Sequence, residues 1–157
     1  MTIDLILIGK TDSEAIAALV SDYSKRINRY IKFAVVILPD VRSSRKMPAE
    51  VQKQAEGEMI LRQITQGDTV VLLDEKGKSM RSVEFASWIE KRIATGGKRI
   101  CFVVGGPYGF SREVYERADA MLSLSPMTFS HQIVRAIFAE QLYRAFSIIN
   151  NTPYHHE

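Results

Sequence analysis

Two periods run through the apolar positions of this chain. Short runs rich in β-branched residues, Ile3 to Ile8, Phe33 to Leu38, Thr69 to Leu73, Ile100 to Val104 and Ala120 to Leu124, have the length and composition of strands. Between them lie longer stretches in which apolar residues recur every three or four positions. Ile16, Leu19, Val20, Tyr23 and Ile27 mark one helix, which Ser13 can cap and which runs to about Tyr30. Pro48 suits the first turn of a second, carried by Val51, Ala55 and Met59 to about Ile64. A third, Val83 to Ala94, buries Phe85, Trp88 and Ile89 and stops at Gly96-Gly97. A short helix from Ser111 to about Arg117 and a long one from His131 to about Ile149 complete the set. Residues 40–47 read as a loop, and Glu75 to Ser79 as a turn around Gly77.

Strands separated by helices need crossover connections. The predicted fold is therefore α/β, a mostly parallel sheet flanked by helices, in a single domain over residues 1–157. The last helix departs from the usual pattern. Across 131–149 its full charges are Arg135, Glu140 and Arg144, too few for the polar face of a surface helix. It is expected to be buried on two sides, against its own sheet and against a second copy of the chain, which predicts a homodimer.

Composition narrows the class. With 46% hydrophobic and 25% charged residues in 157 positions, the chain is neither disordered nor fibrous. No run approaches the roughly 18–20 apolar residues of a membrane span. Asp4 interrupts the apolar start, and no basic leader precedes it, so no signal peptide and a cytoplasmic location are expected. The lone Cys101 excludes a disulfide and reads as a buried thiol. The net charge of +3 is a weak signal, but Lys25, Arg26, Arg29 and Lys32, then Arg42, Arg45 and Lys46, then Lys98 and Arg99 form three basic groups that raise nucleic acid as a partner.

Several motifs fall short of the chemistry they suggest. Ile8-Gly9-Lys10-Thr11 looks like the end of a phosphate-binding loop, but Asp4 stands where that loop needs its first glycine. Gly105-Gly106-Pro107-Tyr108-Gly109 follows a strand, where open α/β sheets place ligand crevices, yet lacks the dinucleotide spacing. His131, His155 and His156 have no companions at metal-ligand spacing, so no metal site is expected. Glu140 and Arg144, four apart, most simply pair on a helix, and Tyr108 and Tyr154 are candidates to stack on a base.

Phe102-Val103-Val104-Gly105-Gly106-Pro107-Tyr108-Gly109, Leu122 through His131, Val134-Arg135, Glu140 through Ala145 and Pro153-Tyr154-His155 together resemble the RlmH family, small 23S rRNA pseudouridine N3-methyltransferases of the SPOUT superfamily. The resemblance spans the whole chain, including Ile6 to Lys10. It implies a C-terminal deep trefoil knot over about residues 69–157, and a cleft for S-adenosyl-L-methionine formed by Leu73, Gly105, Leu124, Ser125, Pro126, Met127, Thr128 and Phe129. It also implies a homodimer whose active site is completed by the neighbouring subunit, and 23S rRNA within the assembled ribosome as substrate. On that basis His155, Glu140 and Arg144 are candidate catalytic residues. Arg135, Tyr154, His156, Lys25 and Arg29 are candidate RNA contacts. Pro-Tyr-His is followed here by His156 where the family has Arg or Lys, which weakens the tail's charge at neutral pH. Two other readings are a SPOUT enzyme acting on tRNA and a non-catalytic ribosome-associated protein.

Overall fold

A computed structural model describes residues 1–41 and 46–156. Arg42 and Arg45 of the second basic group, and the terminal Glu157, lie outside the described residues. Among the described residues, strands and helices alternate as β1 (Thr2–Ile8), α1 (Glu14–Ile27), β2 (Lys32–Leu38), α2 (Ala49–Gln63), β3 (Thr69–Ser79), α3 (Ser82–Ala94), β4 (Arg99–Val104), α4 (Arg112–Arg117), β5 (Ala120–Ser123) and α5 (Ile133–Ile149). The strands form one sheet in the order β2-β1-β4-β3-β5, and every pairing is parallel. α1 begins where Ser13 accepts the Ile16 amide at 3.3 Å. The order and approximate bounds of the elements follow the periodicity.

Alternation along each strand divides the interior in two. Ile3, Leu5, Leu7, Ile100, Phe102 and Val104 point to one face, against Phe85 and Ile89 of α3 and Phe138, Leu142 and Phe146 of α5. At its centre the Phe102 ring lies 4.7 Å from that of Phe138 and 6.2 Å from that of Phe85. Ile6, Ile8, Val70, Leu72, Cys101 and Val103 point to the other face, under Ile60 of α2 and Val114 of α4. Both faces are covered, which is why the strands read as continuous apolar runs. Burial pushes the Cys101 thiol up to about 12, so it stays neutral and inert.

Two expectations need correction. The residues after Leu73 do not leave the sheet at a turn. Leu73 and Lys78 both pair with Leu122, so residues 74–77 bulge outward and β3 resumes, running to Ser79. Gly77 permits this because a Cβ there would stand 2.6 Å from the Met121 carbonyl carbon. Second, Leu19 is 44% exposed and Trp88 only half-buried, so neither belongs to the interior as fully as its spacing suggested. α5 finds partners on two sides within the chain. It lies between α1 and α3, with Tyr30 stacked on Phe146 at 5.9 Å and Ser82 Oγ donating to Gln141 Oε1 at 3.0 Å. None of residues 131–149 is exposed. Much of the burial that its charge pattern predicts is therefore met inside the chain, by α1 and α3.

Arg99, read from sequence as part of a basic surface group, instead closes the amino-terminal edge of the sheet. Its guanidinium grips both Asp68 oxygens and donates to Asp4 Oδ2 at 2.9 Å and to the Gln63 carbonyl at 2.7 Å. Arg117 donates to the carbonyls of Thr65 at 3.1 Å and Asp68 at 3.0 Å. The bonds from Arg99, outweighing burial, draw the Asp68 carboxyl from 3.8 down to about 2. A carboxyl lowered in this way contributes stability above its unfolded value and gives it up as pH falls through its folded one. Asp68→Asn should therefore cost on the order of 2 kcal/mol at neutral pH. In urea unfolding, its deficit against the wild-type chain should shrink as pH is lowered from about 4 to about 2.

Candidate functional site

A cleft of about 540 Å³ opens at the carboxyl ends of β3, β4 and β5. That volume falls within the roughly 300–1,000 Å³ of small-molecule sites, at the end of the sheet where open α/β folds bind ligands. Three segments wall it. The first is the β3 bulge. There Asp74 accepts the Lys76 amide at 2.8 Å through one oxygen and the Tyr115 hydroxyl at 2.5 Å through the other. Burial and Asp74 push Tyr115 up to about 12, so it remains a donor. Glu75 reaches across the cleft and accepts the Thr128 hydroxyl at 3.0 Å.

The second wall is the glycine loop. Gly109, at φ +82°, donates to the Gly106 carbonyl at 3.2 Å and closes a tight turn. A Cβ on Gly105 would stand 3.2 Å from the Phe110 ring, and one on Gly106 would stand 2.5 Å from the Glu56 carboxylate. Glu56 is itself buried and accepts from Gln52 at 3.1 Å. Both glycines are thus packed closely from behind, Gly105 by Phe110 and Gly106 by Glu56. Tyr108, 51% exposed, stands at the mouth.

The third wall, residues 124–131, is shaped by serines. Ser123 Oγ donates to the Ser125 carbonyl at 2.9 Å, Ser125 Oγ accepts the Met127 amide at 2.9 Å, and Ser130 Oγ accepts the Ile133 amide at 3.1 Å. Of the residues the resemblance assigns to a cofactor, Leu73, Gly105, Leu124, Ser125, Met127, Thr128 and Phe129 all line this cleft. Pro126 is exposed and does not. The sequence reading missed Asp74, Glu75, Tyr115 and His131, which also line it. The two consecutive carboxylates directly after a buried strand were the available signal.

The candidate catalytic residues gather elsewhere. The tail turns back at Asn151, which takes a left-handed φ of 54°, and Thr152 bonds the Ser147 carbonyl through its amide at 2.9 Å. This brings Arg144 Nη1 within 3.2 Å of His155 Nδ1, while Arg144 Nη2 pairs with Glu140 Oε1. Tyr154 donates its hydroxyl to the same Glu140 oxygen at 3.0 Å and meets the Tyr23 hydroxyl at 3.2 Å. Burial, together with Tyr23 and Glu140, raises Tyr154 above the ordinary phenol range, and Glu140 raises Arg144. A guanidinium only donates, so in this contact Nδ1 of His155 is the acceptor. Glu140, Arg144 and His155 form one cluster against α1, but none of them lines the cleft of the same chain.

The candidate RNA contacts divide as well. Lys25, Arg29 and His156 are exposed. Arg26 lies over the rings of Tyr23 at 5.3 Å and Tyr143 at 5.5 Å. Tyr154 is half-buried with Arg144 over its ring at 4.9 Å and Tyr143 edge-on at 4.7 Å, so it is a packed member of the cluster and not an open stacking platform. Arg135 is corrected outright: it is 1% exposed, its guanidinium turned inward onto main-chain carbonyls, and it offers nothing to a phosphate. Among the described residues no group of three or more His, Cys, Asp or Glu is arranged to hold a metal, and no helix is long and apolar enough to cross a membrane.

Residues 1–155 match the family described as "Predicted SPOUT methyltransferase". The chain is 55% identical over 156 residues to the ribosomal RNA large subunit methyltransferase H of Christiangramia forsetii, covering 99% of both chains. It is 50% identical over 157 residues to the protein of the same name from Parabacteroides distasonis, covering 100% of both. In fold it is similar to Lpg2936 of Legionella pneumophila, solved in complex with the cofactor SAM, with a TM-score of 0.52 and 12% identity over 92% of this chain and 66% of that one.

The shared acceptor in the tail gives a direct check. Glu140→Ala leaves Arg144 and the Tyr154 hydroxyl without their common partner and should cost about 1–3 kcal/mol of stability. It should also speed carboxypeptidase trimming of residues after Asn150, while Glu84→Ala, on exposed α3 surface, leaves that rate unchanged.

Proposed function

The chain belongs to the SPOUT methyltransferase family, and on that premise we propose that it transfers the methyl group of S-adenosyl-L-methionine to N3 of a pseudouridine in 23S rRNA on the assembled ribosome. The observation that carries this reading is the cleft: seven of the eight residues that the resemblance assigns to the methyl donor converge there from three separate stretches of chain. A single cytoplasmic domain, a knot over about residues 69–157 and a homodimer belong to the same proposal.

The lining suits the donor. Leu73, Val104, Leu122, Leu124 and Phe129 offer an apolar wall for an adenine ring, and the main chain of 124–129 offers hydrogen-bonding groups for its edge. Asp74 and Glu75 set two carboxylates in the lining, favourable to a ligand bearing a sulfonium and an ammonium. When bound, the donor supplies an electrophilic methyl carbon: N3 forms the new C–N bond as the C–S bond breaks, the electron pair leaves with sulfur, and the N3 proton is lost.

The protein's own tasks are alignment and proton handling. Alignment of two bound reactants is worth up to about 7–11 kcal/mol in well-oriented systems. N3 of the base is an imide nitrogen, protonated at neutral pH, so a proton acceptor is needed beside it. His155 and Glu140 are the candidates, and both are engaged by Arg144 in the isolated chain. Proton acceptance by His155 therefore requires the Arg144 contact to open when RNA docks, which leaves the guanidinium to stabilise negative charge on the base. Because this cluster does not line its own cleft, the tail of one copy serves the cleft of the other. Lys25, Arg29 and His156, all exposed, contact phosphates and so set position more than sequence.

Four measurements separate these elements. Purified ribosomes should accept methyl label that bulk tRNA does not; the reverse result moves the substrate to tRNA. Calorimetry should show the wild-type chain binding S-adenosyl-L-methionine, and an absence of binding leaves a ribosome-associated protein without catalysis. Leu124→Arg should abolish that binding, whereas His155→Ala should retain it and lose about 10²-fold or more in kcat. Mixing the two inactive variants should restore activity, because a mixed dimer holds one intact cleft facing one intact tail. No restoration would place both halves of the site in one chain.

A further inference from the structure

Ile8-Gly9-Lys10-Thr11 is too incomplete to bind a nucleotide, and the cleft does not use it. Its place in the fold is nonetheless specific. Gly9, at φ +74°, donates to the Leu38 carbonyl at 2.7 Å and turns the chain out of the sheet at the carboxyl end of β1. The carbonyls exposed by that turn face α5. Arg135 donates to the Ile8 carbonyl at 2.8 Å, the Gly9 carbonyl at 2.9 Å, the Thr11 hydroxyl at 3.0 Å and, one turn back on its own segment, the His131 carbonyl at 3.0 Å. Four of the five guanidinium N–H groups are thus used inside the protein. Beside it, Gln132 accepts the Asp12 amide at 2.9 Å and donates to the Lys10 carbonyl at 3.4 Å.

Both side chains leave the point where the third wall of the cleft enters α5. His131 and Val134 line the cleft, and Ser130 caps the same turn. At its other end that wall is joined to β5 through Ser123 and Ser125. The 124–131 segment therefore hangs between two fixed points, one of them tied by contacts 120 to 127 residues away in sequence.

We propose that the Ile8–Asp12 turn is a docking socket for Arg135 and Gln132, and that these two are positioning residues that hold the 124–131 wall in the shape that binds the methyl donor. The assignment rests on the methyltransferase reading given above. A lysine in place of Arg135 keeps the charge but cannot span the Ile8, Gly9 and His131 carbonyls with one ammonium. The segment then loses its second fixed point while β3, β4 and the glycine loop keep theirs.

The test uses the full-length chain with Arg135→Lys and Gln132→Ala, the second removing only the partly exposed tie. S-adenosyl-L-methionine is titrated by calorimetry, and initial rates are measured on ribosomes at varied donor concentration. Both variants should bind the donor more weakly, Arg135→Lys by roughly tenfold or more, as loss of charge-assisted hydrogen bonds worth about 1.5–3 kcal/mol implies. The KM for the donor should rise in step, with kcat at saturation within about threefold, since the loss is to binding and not to the transition state alone. Amide exchange should quicken at Met127 and Ile133 and stay unchanged in β3. A variant that loses thermal stability but keeps donor affinity and KM overturns the assignment. If Arg135→Lys does not fold, Gln132→Ala decides by the same criterion. A wild-type chain that fails to bind the donor would instead overturn the methyltransferase reading, and the same titration series reveals it.

Discussion

A parallel sheet leaves its strand ends ragged. Every strand stops on the same side, and the backbone groups there must find partners that no neighbouring strand supplies. In this chain that requirement is met three ways at once: by the β3 bulge, by a glycine turn braced on Phe110 and Glu56, and by an arginine buried against the end of β1. The cleft is the space these solutions leave between them. Its walls come from positions 73–76, 104–110 and 122–134, so its shape is a property of the whole carboxyl edge.

The opposite edge is solved differently. Arg99 and Asp68 lock it with a partly buried, doubly bonded ion pair, and Arg117 donates to the Thr65 and Asp68 carbonyls. One edge is therefore pinned by charge-assisted bonds to the strands themselves, while the other is assembled from short polar ties between loops. Such a division suits an α/β protein whose binding surface must admit a ligand without loosening the sheet beneath it. The tail cluster of Glu140, Arg144 and His155 stands apart from both, folded against α1 and held together by its own hydrogen bonds.

Much of this was legible in the residues. Strands and helices followed their apolar periods closely, Ser13 capped α1, and Cys101 was buried. The failures share a cause: a side chain's partner, remote in sequence, overrode its local pattern. Gly77 looked like a turn because nothing local reveals that β5 lies against it. Arg99 and Arg135 looked like surface charge because Asp68, Asp4 and the Ile8 carbonyl are brought to them only by the fold. The cleft's position was readable from the glycine loop and the Leu122–His131 motif, but the carboxylates of Asp74 and Glu75 depend on a bulge that periodicity does not encode.

Cys101 has one practical corollary. The chain's single thiol lies at 0% exposure in the middle of β4, held neutral by the packing around it. To maleimide and disulfide reagents the native chain is therefore silent. A cysteine introduced at an exposed position becomes the sole reactive sulfur, so one dye or spin label can be placed at will without first deleting a native residue.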